Sequence, residues 1–147
     1  MKVDTLNVKY IIDEKTTVIP TKMFYEIVAE DEFQTIHFEV QLNNHQIKSK
    51  LSNSVEYAIK YFQTELPDNI RIACCQSCQH GNFNPFGDLE NEIFCLKDKT
   101  LLNRDRVVNI FSEQDDSFDT RSRKLLDYCK DYQSICESEK YTYNDWV

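Results

Sequence analysis

Cys74-Cys75-Gln76-Ser77-Cys78-Gln79-His80-Gly81-Asn82-Phe83-Asn84-Pro85-Phe86-Gly87, followed by Glu92-Ile93-Phe94-Cys95, is the stretch around which the chain is organised. It holds four of the six cysteines, both glycines and one of the three prolines. Two thiols separated by two residues can turn their sulfurs toward one point, and a third on a later segment can approach from the side. The spacing therefore predicts a structural zinc site with Cys75, Cys78 and Cys95 as ligands. Closing it takes a fourth donor: Cys136 or Cys129 from the last segment, or His80 locally. Three or four thiolates would neutralise the dication and leave no open position for a catalytic water, so such a site holds the fold together and does no chemistry.

The remaining thiols have simpler accounts. Cys74 continues the alternation of Ile70 and Ile72 and is expected to point into the core, and Cys129 shares a face with Leu125 and reads as a core thiol. A dithiol oxidoreductase would place Cys75-Gln76-Ser77-Cys78 at a helix amino terminus after a parallel strand, whereas Gly81, Pro85 and Gly87 break any helix there. His37 falls on the polar face of a strand and His45 in a hairpin return, and neither they nor His80 stand at a catalytic spacing. Nothing in the sequence argues for an enzyme.

Upstream, the pattern is that of strands. Leu6, Val8, Tyr10 and Ile12 alternate, with a turn expected over residues 13–16, and a second strand is expected from Met23 to about Ala29. After a polar turn at residues 30–32, Ile36, Phe38, Val40 and Leu42 alternate with polar residues on the opposite face. Asn43-Asn44 suits a tight hairpin, so the chain should return from His45 as an antiparallel strand. The period then changes. Asn53 can cap a helix with Glu56 three residues on, and Val55, Ile59, Phe62 and Leu66 line one side of it up to Pro67. This helix should lie across the apolar face of the meander, and residues 70–73 form a short strand that leads into Cys74.

Downstream, Asn84-Pro85-Phe86-Gly87 fits a type I turn. Residues 93–96 read as a returning strand and residues 107–111 as another. From about Asp119 a final helix is expected, because Leu125, Cys129, Tyr132 and Cys136 are spaced four, three and four apart. The aromatic tail, Tyr141 to Trp146, should fold back on the domain. The fold class is α+β, one domain over residues 1–147: an antiparallel meander with one packed helix in residues 1–73, then a zinc-stapled half with a carboxy-terminal helix in residues 74–147.

Composition limits the role. Seventeen Lys and Arg against 25 Asp and Glu give a net charge of −8, which repels phosphate backbones and favours a basic protein surface. Nucleic acid is a poor partner on this ground. No apolar run has membrane-spanning or signal-peptide character, so a cytosolic location is expected, and in that reducing compartment metal ligands explain six cysteines better than disulfides do.

The matched positions Cys75 and Cys78, Asn84-Pro85-Phe86-Gly87, Cys95-Leu96 and Asp131-Tyr132-Gln133-Ser134-Ile135-Cys136 resemble a family of small acidic bacterial proteins. That family carries CxxC, a loop ending in Pro-Tyr-Gly, a Cys-Phe pair and a last Cys after an acidic, aromatic stretch. Here Phe86 stands for Tyr, Leu96 for Phe, and Glu137 follows the last Cys in place of Pro. The likeness covers the carboxy-terminal half and favours Cys136 over Cys129 as the fourth ligand. It implies an immunity protein that binds and neutralises a basic toxin domain encoded beside it. Were that toxin a nuclease, Glu113, Asp115, Asp116 and Asp119 would be decoys for phosphate, although a solvated loop accounts for them as simply.

Overall fold

In the computed structural model, which describes residues 1–30, 32–87, 91–113, 118–135 and 140–146, the chain divides into two compact units, Met1–Ala73 and Cys74–Trp146. The first unit is a five-stranded sheet ordered β4-β3-β2-β1-β5, built from β1 (Lys2–Ile12), β2 (Lys15–Ala29), β3 (Glu32–Leu42), β4 (His45–Lys48) and β5 (Ile70–Ala73). Every pairing is antiparallel. The turn between β1 and β2 is only two residues, Asp13 and Glu14, at φ 50 and 71. Positive φ at both central positions matches the right-handed twist of the flanking strands, which is why β2 begins at Lys15, well before Met23. Asn43 takes φ 54 in the next two-residue hairpin, as its tolerance of that region allows.

Helix α1 (Val55–Glu65) begins one residue later than Asn53 would place it, with extended Ser54 as the cap accepting the Tyr57 N–H. Ala58, Ile59 and Phe62 are buried, and Phe62 meets the Tyr10 ring edge-on at 6.5 Å and stacks on Phe38 at 5.6 Å. The Tyr10 hydroxyl is satisfied by Thr21 Oγ1 at 2.6 Å, so a full tyrosine is buried without an orphaned polar atom. The Gln63 amide, reaching from the helix, donates to Ile70 O and accepts from Ile72 N, serving the edge of β5 as a neighbouring strand would.

His37 does not sit on a solvated face. It is 5% exposed, stacked on Phe24 at 4.9 Å, with Nε2 2.8 Å from Glu39 and Nδ1 without a hydrogen-bond partner among the described residues.

The second unit carries a three-stranded sheet, β6 (Gly81–Asn82), β7 (Glu92–Cys95) and β8 (Ser122–Lys124), with β7 in the middle, and helix α2 (Arg104–Ser112). Residues 107–111, expected as a strand, lie in α2. Val107, Ile110 and Phe111 are buried at helical spacing, and Asn103 caps the helix by accepting the Arg106 N–H. Phe94, Phe111 and Phe118 form a three-ring cluster, with centroids 4.9 to 5.2 Å apart, against which Tyr141 and Tyr143 pack. The aromatic tail is tied back by hydrogen bonds: Tyr143 N donates to Asn82 Oδ1 and Phe83 N to Tyr143 O.

The carboxy-terminal helix is absent from the described residues. After a 3-10 turn at Phe118–Arg121 and strand β8, residues 125–133 are turns and irregular chain, and Ser134 makes an isolated bridge. Their backbone carbonyls are engaged elsewhere: Leu125 O, Asp127 O and Gln133 O accept the N–H groups of Gln76, Cys75 and Gln79. A carbonyl turned toward another segment does not point along the chain at the amide four residues ahead, as each helical carbonyl must. Among the described residues no helix is long and apolar enough to cross a membrane.

Candidate metal centre

The sulfur-bearing turn follows directly from β5. Cys74, extended at φ −154, caps a 3-10 turn over Cys75–Ser77: Ser77 N donates to Cys74 O, and Ser77 Oγ accepts the Cys74 N–H at 3.1 Å. A second tight turn follows, with Cys78 N donating to Cys75 O and Gly81 N to Cys78 O. These successive turns bring the Gly81 backbone against the Cys75 carbonyl. A Cβ at position 81 would lie 2.1 Å from Cys75 O, so a side chain has no room there. Gly81 then pairs with Cys95, which sets the end of β7 beside the turn.

The segment at 125–134 covers the same turn from another side. Besides the three backbone bonds already described, the Tyr132 hydroxyl meets Ser77 Oγ at 3.0 Å, and Cys78 and Ser134 form an isolated antiparallel bridge. Cys78 is the hub of this arrangement. Its sulfur is approached by the backbone N–H groups of Gln133 and His80, and it lies within electrostatic reach of Cys75, Cys95 and Cys129. Backbone donors aimed at a sulfur favour its thiolate, whereas burial and neighbouring thiolates oppose it, and burial is the larger effect here. The Cys78 thiol is pushed up on balance. Cys75 is raised more, first by burial and then by Cys74, Cys78, Asp127 and Cys129. Thiols that raise one another stay protonated near neutral pH, and a bound cation would favour their shedding protons together.

Two ammonium groups stand nearby in this acidic chain. Lys97 pairs with Asp131 at 2.8 Å and also feels Cys129 and Cys95. Lys140 donates to Leu96 O at 3.1 Å, lies 3.5 Å from His80 Nδ1, and feels Cys95 and Cys78. Burial, chiefly, and these lysines push the His80 imidazole down, and its Nδ1 lies 3.5 Å from Lys140 Nζ.

Of the four expected ligands, Cys75, Cys78 and Cys95 belong to this turn and the adjoining strand, while Cys136 lies outside the described residues. Cys129 is exposed, which corrects the expectation of a core thiol, and Cys74 is fully buried. Among the described residues, no three His, Cys, Asp or Glu side chains converge closely enough to ligate one ion, so the sulfurs share a neighbourhood without sharing a point. No disulfide joins the described cysteines. Sequence reasoning missed Gly81 and Asn82. The signal for the first was present, since a glycine three residues after a CxxC allows the chain to double back on the first cysteine. Of the acidic quartet, Asp115 and Asp116 lie outside the described residues, and Glu113 and Asp119 are exposed.

Compared with known proteins, the chain matches no protein-family model, no curated protein and no solved structure.

Proposed function

We propose that this chain is a zinc-stabilised binding protein of the cytosol, without catalytic activity, that acts as an immunity protein by occluding a basic toxin domain. The observation that carries the metal part is the doubled-back turn: it holds Cys75 and Cys78, and Gly81, seated against the Cys75 carbonyl, pairs with Cys95 of β7. Cys75, Cys78, Cys95 and Cys136 would hold the ion, with Cys129 the substitute for Cys136. Zinc would supply a crosslink between the turn, β7 and the last segment, and no reactive water. The donor set fits this group: soft thiolates suit zinc, and the ammonium groups of Lys97 and Lys140 offset the excess negative charge of a four-thiolate site.

The binding part rests on the resemblance of the cysteine pattern and on the net charge of −8, which favours and steers association with a cationic partner. Thiols raised by burial argue against a dithiol oxidoreductase, which requires an accessible thiolate near neutral pH. Elemental analysis of protein purified under reducing conditions should find about one zinc per chain. Chelation should then speed amide exchange in residues 74–146 far more than in residues 1–73. Metal-free protein with equal protection in both units would end the zinc reading, and failure to capture the product of the neighbouring gene would end the immunity reading.

A further inference from the structure

Strand β1 stops pairing with β2 at Lys2, opposite Tyr25. Beyond that point residues 26–29 of β2 face only residues 32–35 of β3, and the chain on the other side of β3 pairs with it no nearer than Ile36, bridged by Ser52. The end of this sheet is thus a two-stranded ribbon whose outer edges have no strand partner among the described residues. Register shifts fall between Glu26 and Ile27 and between Ile27 and Ala29. An extra residue in one strand re-aims the side chains around it, and here two consecutive aliphatic residues are presented, Ile27 at 45% and Val28 at 64% exposure. Next to them Tyr25 and Phe33 meet edge-on at 5.7 Å and are only half-buried. A strand pair that places consecutive aliphatic residues in water would ordinarily be covered or blunted.

Charge identifies the cover. Along β2 and β3 no lysine or arginine occurs between Lys22 and Lys48, whereas Glu26, Glu30, Asp31, Glu32 and Glu39 all fall in that interval, so the acidic side chains outnumber Lys2, the cation that β1 sets opposite Tyr25. A second copy of the chain would set Glu30 and Glu32 against their own counterparts, and a nucleic acid would meet the same repulsion. We propose that the ribbon formed by residues 26–29 and 32–35 is the surface that docks a lysine- or arginine-bearing segment of a protein partner, with Ile27 and Val28 as its apolar contact. This places the contact face of the binding role proposed above, and rests on that reading.

The probe is a fluorescein-labelled peptide of four Lys-Leu repeats, titrated by anisotropy at low and physiological salt. E30K/E32K should weaken binding by about tenfold or more, and I27S/V28S by roughly fivefold with no change of charge. The charge-matched control E65K/D68K, at exposed positions on the last residue of α1 and in the turn after it, should stay within about twofold. Equal weakening by the two charge reversals, or no effect of the serine pair, would overturn the assignment. The substituted side chains are exposed, and unchanged circular dichroism of each variant certifies the fold. The peptide assay needs no toxin, so its outcome is separate from capture of the neighbouring gene product.

Discussion

Gly81→Ala is the substitution that presses hardest on the geometry of the sulfur-bearing turn. The added methyl would sit 2.1 Å from Cys75 O, about 0.9 Å inside the 3.0 Å below which Cβ atoms essentially never approach another heavy atom, and 3.0 Å from Ile93 Cδ1. Ile93 can yield, being a side chain. The carbonyl cannot move without carrying Cys75, whose own N–H is held by Asp127 O at 2.7 Å. Overpacking of a well-filled site costs about 1–3 kcal/mol, and a backbone obstacle puts this case at the upper end. For a unit of this size that corresponds to roughly 12–24 °C in the unfolding midpoint. Trp146 is the only tryptophan, and it belongs to the second unit, so its emission follows that unit's unfolding. Competition with a chromophoric chelator should show zinc affinity reduced by about tenfold or more, because the substitution displaces a ligand-bearing turn. Gly87→Ala is the control: at φ 89 with nothing within 4 Å, it should cost only about 1 kcal/mol of backbone strain. A Gly81→Ala protein that melts within a few degrees of the parent and binds zinc equally well would refute the idea that close approach holds the turn.

Other outcomes follow from the same contacts. Asn82 is fully buried, donating to His80 O at 3.2 Å and accepting the Tyr143 N–H at 2.7 Å, so Asn82→Ala should cost about 2 kcal/mol and shift Trp146 emission to the red as the tail detaches. Asp98 is held at about 2, below its usual 3.8, chiefly by its hydrogen bonds from Arg121. A carboxyl whose folded pKa is depressed contributes stability above its unfolded pKa and loses it as pH falls from about 4 through about 2. Because the Asp98 side chain is 55% exposed, solvent screening limits this to under about 1 kcal/mol, and Asp98→Asn should remove that acid-limb slope in a urea titration across pH.

What could be read from the sequence is what local pattern alone determines. The alternation of Ile36, Phe38, Val40 and Leu42 became β3 because one face is buried under α1, and Asn43-Asn44 made a hairpin because Asn43 tolerates positive φ. Residues 107–111 misled because Val107, Val108, Ile110 and Phe111 have the composition of a strand. Their apolar members nonetheless recur at three and four residues, and Asn103 stands where a cap belongs. The last segment misled for the opposite reason. Leu125, Cys129 and Tyr132 have helical spacing, yet the carbonyls of Leu125, Asp127 and Gln133 bind a turn some fifty residues earlier in the chain. No local pattern records a partner at that separation, and with it went the identity of the sulfurs: Cys129 came to the surface beside the turn instead of entering a core.

Cys74 has a consequence for reagents. Its thiol is wholly enclosed and pushed up to about 11, chiefly by that enclosure, while Cys129 lies open. In reduced protein an alkylating agent should therefore mark Cys129 at once and Cys74 only when the segment around it comes apart. The mass added at Cys74 over time becomes a clock for the opening of the segment that encloses it.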